Sequence, residues 1–262
     1  MPTIDKNNVV NGNTIFAQDI LNIINALDGT NVTKIAISGS VEIGLNNQSL
    51  SSGSLTQGNA NTTSGSYSHA EGQNTIASGS YSHAEGTGCM SIGEGSHAEG
   101  STTISLGPTS HAEGLQTTSN GDYSHAEGLQ SIASGSDSHA EGELTISYGQ
   151  GSHSEGIYTK SYGYGSHAEG DQAESKGEYS HAEGLLTKAS GSHSHAEGSI
   201  TIALGESSHA EGNTTLSSGS YSHAEGSDTR ALGDGSHAEG ENNTASGSFS
   251  HVEGNLNIAS GS

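Results

Sequence analysis

Tryptophan is absent from this 262-residue chain, phenylalanine occurs twice and cysteine once. So few large aromatics leave little material for a conventional globular core. The single cysteine, Cys89, excludes an intrachain disulfide, and its place in the sequence reads as small core filler. Basic residues are scarce as well, 6 against 29 acidic ones, for a formal charge of −23. That balance excludes nucleic acid and anionic membrane surfaces as partners, because both are held through Lys and Arg. There is no basic leader with an apolar run behind it, and no run of about 18 apolar residues. The expectation is a soluble product with no export signal and no membrane insertion of its own.

Glycine is plentiful, at 40 residues. Scattered glycine would imply disorder, but here it recurs in register, which implies architecture. The phrase Ser68-His69-Ala70-Glu71-Gly72 returns with a step of 14 residues to the end of the chain. Its histidines are His69, His83, His97, His111, His125, His139, His153, His167, His181, His195, His209, His223, His237 and His251. Its acidic partners are Glu71, Glu85, Glu99, Glu113, Glu127, Glu141, Glu155, Glu169, Glu183, Glu197, Glu211, Glu225, Glu239 and Glu253. Two glycine series, begun by Gly72 and Gly86 and by Gly79 and Gly93, hold a constant phase, which requires either positive φ or a close backbone approach. Each unit therefore reads as two short strands and two tight turns, one coil of a narrow parallel β-solenoid. Coils stacked about 4.8 Å apart give a body on the order of 70 Å long.

Three regions follow. Residues 1–45 form an N-terminal attachment and registration module. In it Ile20, Ile23, Ile24 and Leu27 make one apolar stripe of a helix over about 17–27, and Gly29 stands after its end. Val32 to Ile43 reads as one or two strands broken at Gly39, with the junction near Gly44. Residues 46–65 are a degenerate opening coil, with Leu55 where histidine stands later. Residues 66–262 are fourteen repeats.

Alternation decides which way each side chain faces. Ser68 and Ala70 share one side of the strand, His69 and Glu71 the other. Only the small pair fits inside so narrow a coil, opposite Thr75 and Ala77. Histidine and glutamate therefore point outward. The outward position of the second strand varies freely, from Ile76 to Lys160, Glu174, Lys188 and Arg230, while the His–Glu face scarcely changes. A constant outer surface is expected to meet an equally regular one, most simply another copy of the chain. An interior of Ala, Ser and Thr buries little apolar area, which also favours association.

The frame Ser-x-Ala-x-Gly-x-x-Thr/Ser-x-Ala-x-Gly resembles the head repeat of YadA-like trimeric adhesins. The resemblance covers residues 66–262, about three-quarters of the chain. It implies an all-β, left-handed parallel β-roll that trimerises along one face. Where that family carries two aliphatic residues in the first strand, this chain carries His69 and Glu71, which implies a polar, hydrogen-bonded interface between three copies. The stretch from Asn13-Thr14-Ile15 through Ala26-Leu27-Asp28-Gly29-Thr30 resembles the N-terminal regions of tail-fibre-like proteins of tailed bacteriophages. Together these resemblances imply a structural fibre or spike in a virion or extracellular appendage. It would be joined to other virion or appendage proteins through its N-terminal module and would attach to a host surface receptor.

Other readings are weighed against this one. A bacterial cell-surface adhesin head is the alternative. A catalytic site is normally single and set in a cleft, so fourteen equivalent His–Glu pairs argue against an enzyme, and no cofactor is expected. Metal capture by converging histidines is a weaker possibility. If the histidines pair with glutamate as charged partners, their pKa should rise. Ice binding would need outward threonines, and these are expected to face inward. The fifteenth histidine, His193, shares a turn position with Tyr81, Tyr123, Tyr179 and Tyr221 and reads as surface decoration.

Overall fold

The computed structural model describes residues 39–261. The helix expected over 17–27 and the apolar stripe of Ile20, Ile23, Ile24 and Leu27 lie outside these residues. The described residues contain no helix; they form an all-β parallel solenoid of about sixteen coils, each with one long and one short strand. The long strands run from Val41–Leu45 and Leu55–Asn59 through His69–Gln73 to His251–Val252. The short ones run from Gln48–Ser49 to Ile258–Ala259. Each set builds its own sixteen-stranded sheet in which sequence neighbours pair in parallel. The register is one coil throughout: His69 pairs with His83, Ala70 with Ala84 and Glu71 with Glu85.

The solenoid starts earlier than the repeat phase indicates. Val41–Leu45 pairs in register with Leu55–Asn59, Val41 opposite Leu55 and Gly44 opposite Gly58. The expected junction near Gly44 thus falls inside the first coil. Val41 and Ile43 occupy the places that His69 and Glu71 take two coils later, which hid this coil from a repeat defined by histidine.

The interior is as small as alternation requires. Ser68, Ala70, Thr75 and Ala77 are at most 2% exposed, and so are their equivalents, Cys89 among them, as far as Ala245; the last coil is more open, with Ser250 at 8%. The threonine series lies inside, at Thr75, Thr103 and Thr145. Many buried serine hydroxyls are satisfied locally: Ser96 Oγ donates to the Gly93 carbonyl at 2.7 Å and lies 2.7 Å from Ser91 Oγ. The same donation recurs from Ser110 to Gly107 and from Ser124 to Gly121, both at 2.6 Å. Most of these serine oxygens thus find partners within the coil, whereas the inward threonine Oγ1 atoms, as at Thr75 and Thr103, do not.

Glycine serves two distinct purposes. Gly72 has φ +108°, and a Cβ there would also strike the carbonyl of Gly86 in the next coil. Gly79 has no positive φ and is required solely by the approach of the Gly93 carbonyl. The left-handed turns fall elsewhere, on residues that are mostly not glycine: Asn74 at φ 56°, Tyr81 at 61°, Ile200 at 58° and His193 at 58°.

Candidate functional site

The outward face of the long strands carries the one chemical pattern held through the body. Alternation turns every ladder histidine and glutamate away from the Ser–Ala interior, and parallel register then sets each above its own kind. The imidazoles stack, with ring centroids 4.6 Å apart between His69 and His83 and 4.8 Å between His195 and His209. Their planes are nearly parallel, within 4° and 2° for those pairs. At the far end the column loosens: His223 and His237 are tilted by 40°, and His237 and His251 by 38°.

The carboxylates line an open groove beside this column, with Glu71, Glu85, Glu99, Glu113, Glu127 and Glu141 along it. Within a coil, His Nε2 lies close to Glu Oε2: 3.6 Å for His69 and Glu71, 3.5 Å for His139 and Glu141, 4.0 Å for His209 and Glu211. These distances fall beyond ordinary hydrogen bonding, so within one chain the pairs are near neighbours and not the hydrogen-bonded partners expected of the interface. The ring Nε2 atoms from His69 to His237 are covered yet have no hydrogen-bond partner. Two histidines also approach the carboxylate of the preceding coil. His97 Nε2 lies 3.8 Å from Glu99 Oε2 and 4.0 Å from Glu85 Oε1, and His139 Nε2 lies 3.9 Å from Glu127 Oε1. Potential metal ligands also gather as two histidines of neighbouring coils with one glutamate, as in His83, Glu85 and His97 or His139, Glu141 and His153, with their ligand atoms within 4.8 Å of one another.

Electrostatics overturns one expectation. Burial, reinforced by neighbouring imidazoles, pushes the pKa of His97, His111, His153, His195, His209 and His223 below the ordinary histidine value, and the flanking glutamates oppose this without reversing it. His167 is pushed down to about 4, by burial first and then by His153 and His181. At these positions burial and the neighbouring imidazoles disfavour the charged ring more than glutamate favours it. Glu85 moves the other way, up to about 7, mainly through a hydrogen bond shared with the Glu99 carboxyl, then through burial and Glu71.

Outside the ladder, the outer face of the short strands is less uniform. Aliphatic Ile76, Met90, Ile104, Ile132 and Ile146 are half-buried, whereas Lys188 and Arg230 are exposed. Lys160, Glu174 and Lys188 stand in one column. Glu174 Oε2 lies 2.8 Å from Lys176 Nζ and 3.8 Å from Lys188 Nζ, and Lys176 stands over the Tyr162 ring. Tyr179 stacks on His193 at 5.5 Å, so this histidine belongs to an aromatic corner of the turn.

Comparison with known families fits this geometry. The YadA head domain repeat (2 copies) matches residues 70–96, 126–152 and 224–250. In these segments the coils are similar to YadA head repeats. Each matched segment spans almost two coils, and the segments sample the start, middle and end of the body. Between them the same register and buried small-residue interior continue unbroken, so the same fold extends beyond the matched segments. Comparison with curated proteins returns no match.

Proposed function

We propose that this chain is the shaft of a homotrimeric fibre or spike, in which the His–Glu faces of three copies pack together and hold an attachment appendage away from its base. The reading is structural and not catalytic. One observation carries it: the outer face of the long strands repeats His and Glu through fourteen coils, while the outer face of the short strands changes from isoleucine to lysine, glutamate and arginine. Solvent makes no demand for such constancy, whereas a second regular surface does. The YadA-like repeats support an adhesin-like trimeric roll, with the ladder in the place of that family's aliphatic contact positions. The aliphatic pair Val41 and Ile43 in the first coil is consistent with packing at the same face.

Within this reading the appendage is a phage tail fibre, with the N-terminal residues joining it to other virion proteins and host attachment as its purpose. The family match favours a second setting equally, the head of a bacterial surface adhesin. Light scattering tests the common core: the mass in solution should be three times that of one chain. Replacing His111, His125 and His139 together with aspartate should shift the protein toward single chains. A monomer at micromolar concentration overturns the proposal. Immunogold labelling, on virions or on cell surfaces, separates the two settings.

A further inference from the structure

The ladder presents an electrostatic problem that self-association does not solve. Fourteen glutamates stand in one in-register column on a chain of net charge −23, beside fourteen imidazoles. The groove along them contains no Lys or Arg. Stacking three such faces would bring more carboxylates together. Each covered imidazole from His69 to His237 also presents an Nε2 with no hydrogen-bond partner among the described residues.

The distances indicate which atom fits. Zinc binds imidazole nitrogen and carboxylate oxygen at about 2.0–2.2 Å, so two ligand atoms on one tetrahedral ion stand roughly 3.3–3.6 Å apart. The His–Glu separations of 3.5–4.0 Å start in that span and need only a small side-chain rotation to close to it. They are too long for a direct hydrogen bond and short enough to share an ion. Two histidines of neighbouring coils also come within 4.8 Å of each other and of one glutamate, but their rings lie parallel about 4.8 Å apart, so their in-plane lone pairs run side by side and aim poorly at one ion. The donor set that does converge is one imidazole with the carboxylates of its own and the preceding coil, as at His97 with Glu99 and Glu85, and at His139 with Glu141 and Glu127.

We propose that the ladder binds a row of divalent transition-metal ions of the zinc class, each held by one histidine and two glutamates of a single chain. A nitrogen donor beside two carboxylates selects such ions over calcium or magnesium, which prefer all-oxygen cages. Charge sets the spacing. Each dication neutralises two carboxylates, so fourteen glutamates balance about seven ions, one for every two coils. The site is complete within one chain and stands whether or not the chain trimerises.

The test uses the full chain without added histidines, stripped of metal and titrated with Co²⁺, whose visible spectrum reports the coordination. The expected result is a ligand-field band that grows to about seven ions per chain and is abolished by Zn²⁺. Replacing Glu85, Glu99, Glu113 and Glu127 with glutamine should lower the stoichiometry by about two ions. Replacing Glu94, Glu178 and Glu206, which lie off the ladder, should leave it unchanged. One ion or fewer per chain, or equal loss in both variants, overturns the proposal. X-ray absorption at the zinc edge of the unmutated protein decides independently of any variant's folding. Imidazole scattering among oxygen donors is expected, and an oxygen-only shell overturns the assignment.

Discussion

Asn61 reaches across the roll into the following coil, where its Oδ1 accepts the backbone N–H of Thr75 at 2.8 Å. Its Nδ2 donates to the carbonyls of Gln57 at 2.6 Å and Gly72 at 2.9 Å, so one buried side chain ties two coils together by three hydrogen bonds. Asn243 repeats the arrangement near the other end, donating to Gly254 at 2.6 Å and accepting from Asn257 N–H at 2.8 Å. Between these ends the same position is filled mostly by threonine, and the Oγ1 atoms of Thr75, Thr103 and Thr145 lack partners. The coils with fewest neighbours thus receive the strongest side-chain bracing.

Asn61→Ala should accordingly strip two carbonyls and one N–H of partners. A buried unsatisfied group costs about 1–3 kcal/mol, so a loss of several kcal/mol is expected, confined to the first coils. Hydrogen exchange should show faster exchange near Thr75 and unchanged protection near Thr145.

Acidification should loosen the body. A histidine whose folded pKa is depressed stabilises the fold above the unfolded value of about 6.5, and that stability is lost as pH falls toward the folded value. For His167 the window runs from about 6.5 down to about 4. Glu85, raised to about 7, acts in the opposite sense, since its protonation below pH 7 relieves repulsion. The lowered histidines outnumber it, so melting temperature, measured in chelator, should fall between pH 6.5 and 4. A profile that rises through this range contradicts the burial argument.

Gly121→Ala should be far more damaging than its size suggests. The added Cβ would strike the carbonyl of Gly135, a backbone atom that cannot rotate away. Separation of the neighbouring coils should appear as a new protease-sensitive point near residue 121, whereas Ser134→Ala on the surface should leave the digestion pattern intact.

Ile200 points toward a gain. A β-branched residue at φ 58° is strained by about 1–2 kcal/mol, and Gly88 shows that the same turn accepts glycine. Ile200→Gly should raise the urea midpoint, by an amount worth about 1 kcal/mol after glycine's greater unfolded-state entropy is counted.

Overfilling the interior tests the packing directly. Ala126, Ala133 and Ala140 form one buried cluster with no solvent exposure. Ala126→Leu should destabilise by about 1–3 kcal/mol or more, since the opposing strand has no small side chain left to shrink. Thermal unfolding followed by circular dichroism measures it.

Much of this architecture was legible from residues alone. The 14-residue step and the Ser–Ala alternation suffice to place His69 and Glu71 outside and Thr75 inside, because strand periodicity leaves only two faces. The first coil was illegible because Val41 and Ile43 share the geometry of the ladder without its chemistry. The left-handed turns at Tyr81 and Ile200 leave no mark in composition, since the stacked coils impose φ on whatever residue stands there. The direction of the histidine pKa was misjudged for a physical reason: sequence displays the glutamate two residues away, but not the burial of the ring or the imidazoles above and below it.

In-register pairing of like with like has one more consequence. His69 meets His83 as His195 meets His209, so a coil carries no address that tells it which neighbour is its own. Length is therefore nearly a free variable: removing or duplicating one whole unit in the middle would leave the ladder and the buried small-residue contacts between coils chemically the same, and change only outer contacts such as those of Glu174. Such a protein can serve as a molecular ruler, adjustable one notch at a time, with the asparagine-braced ends marking where the scale begins and stops.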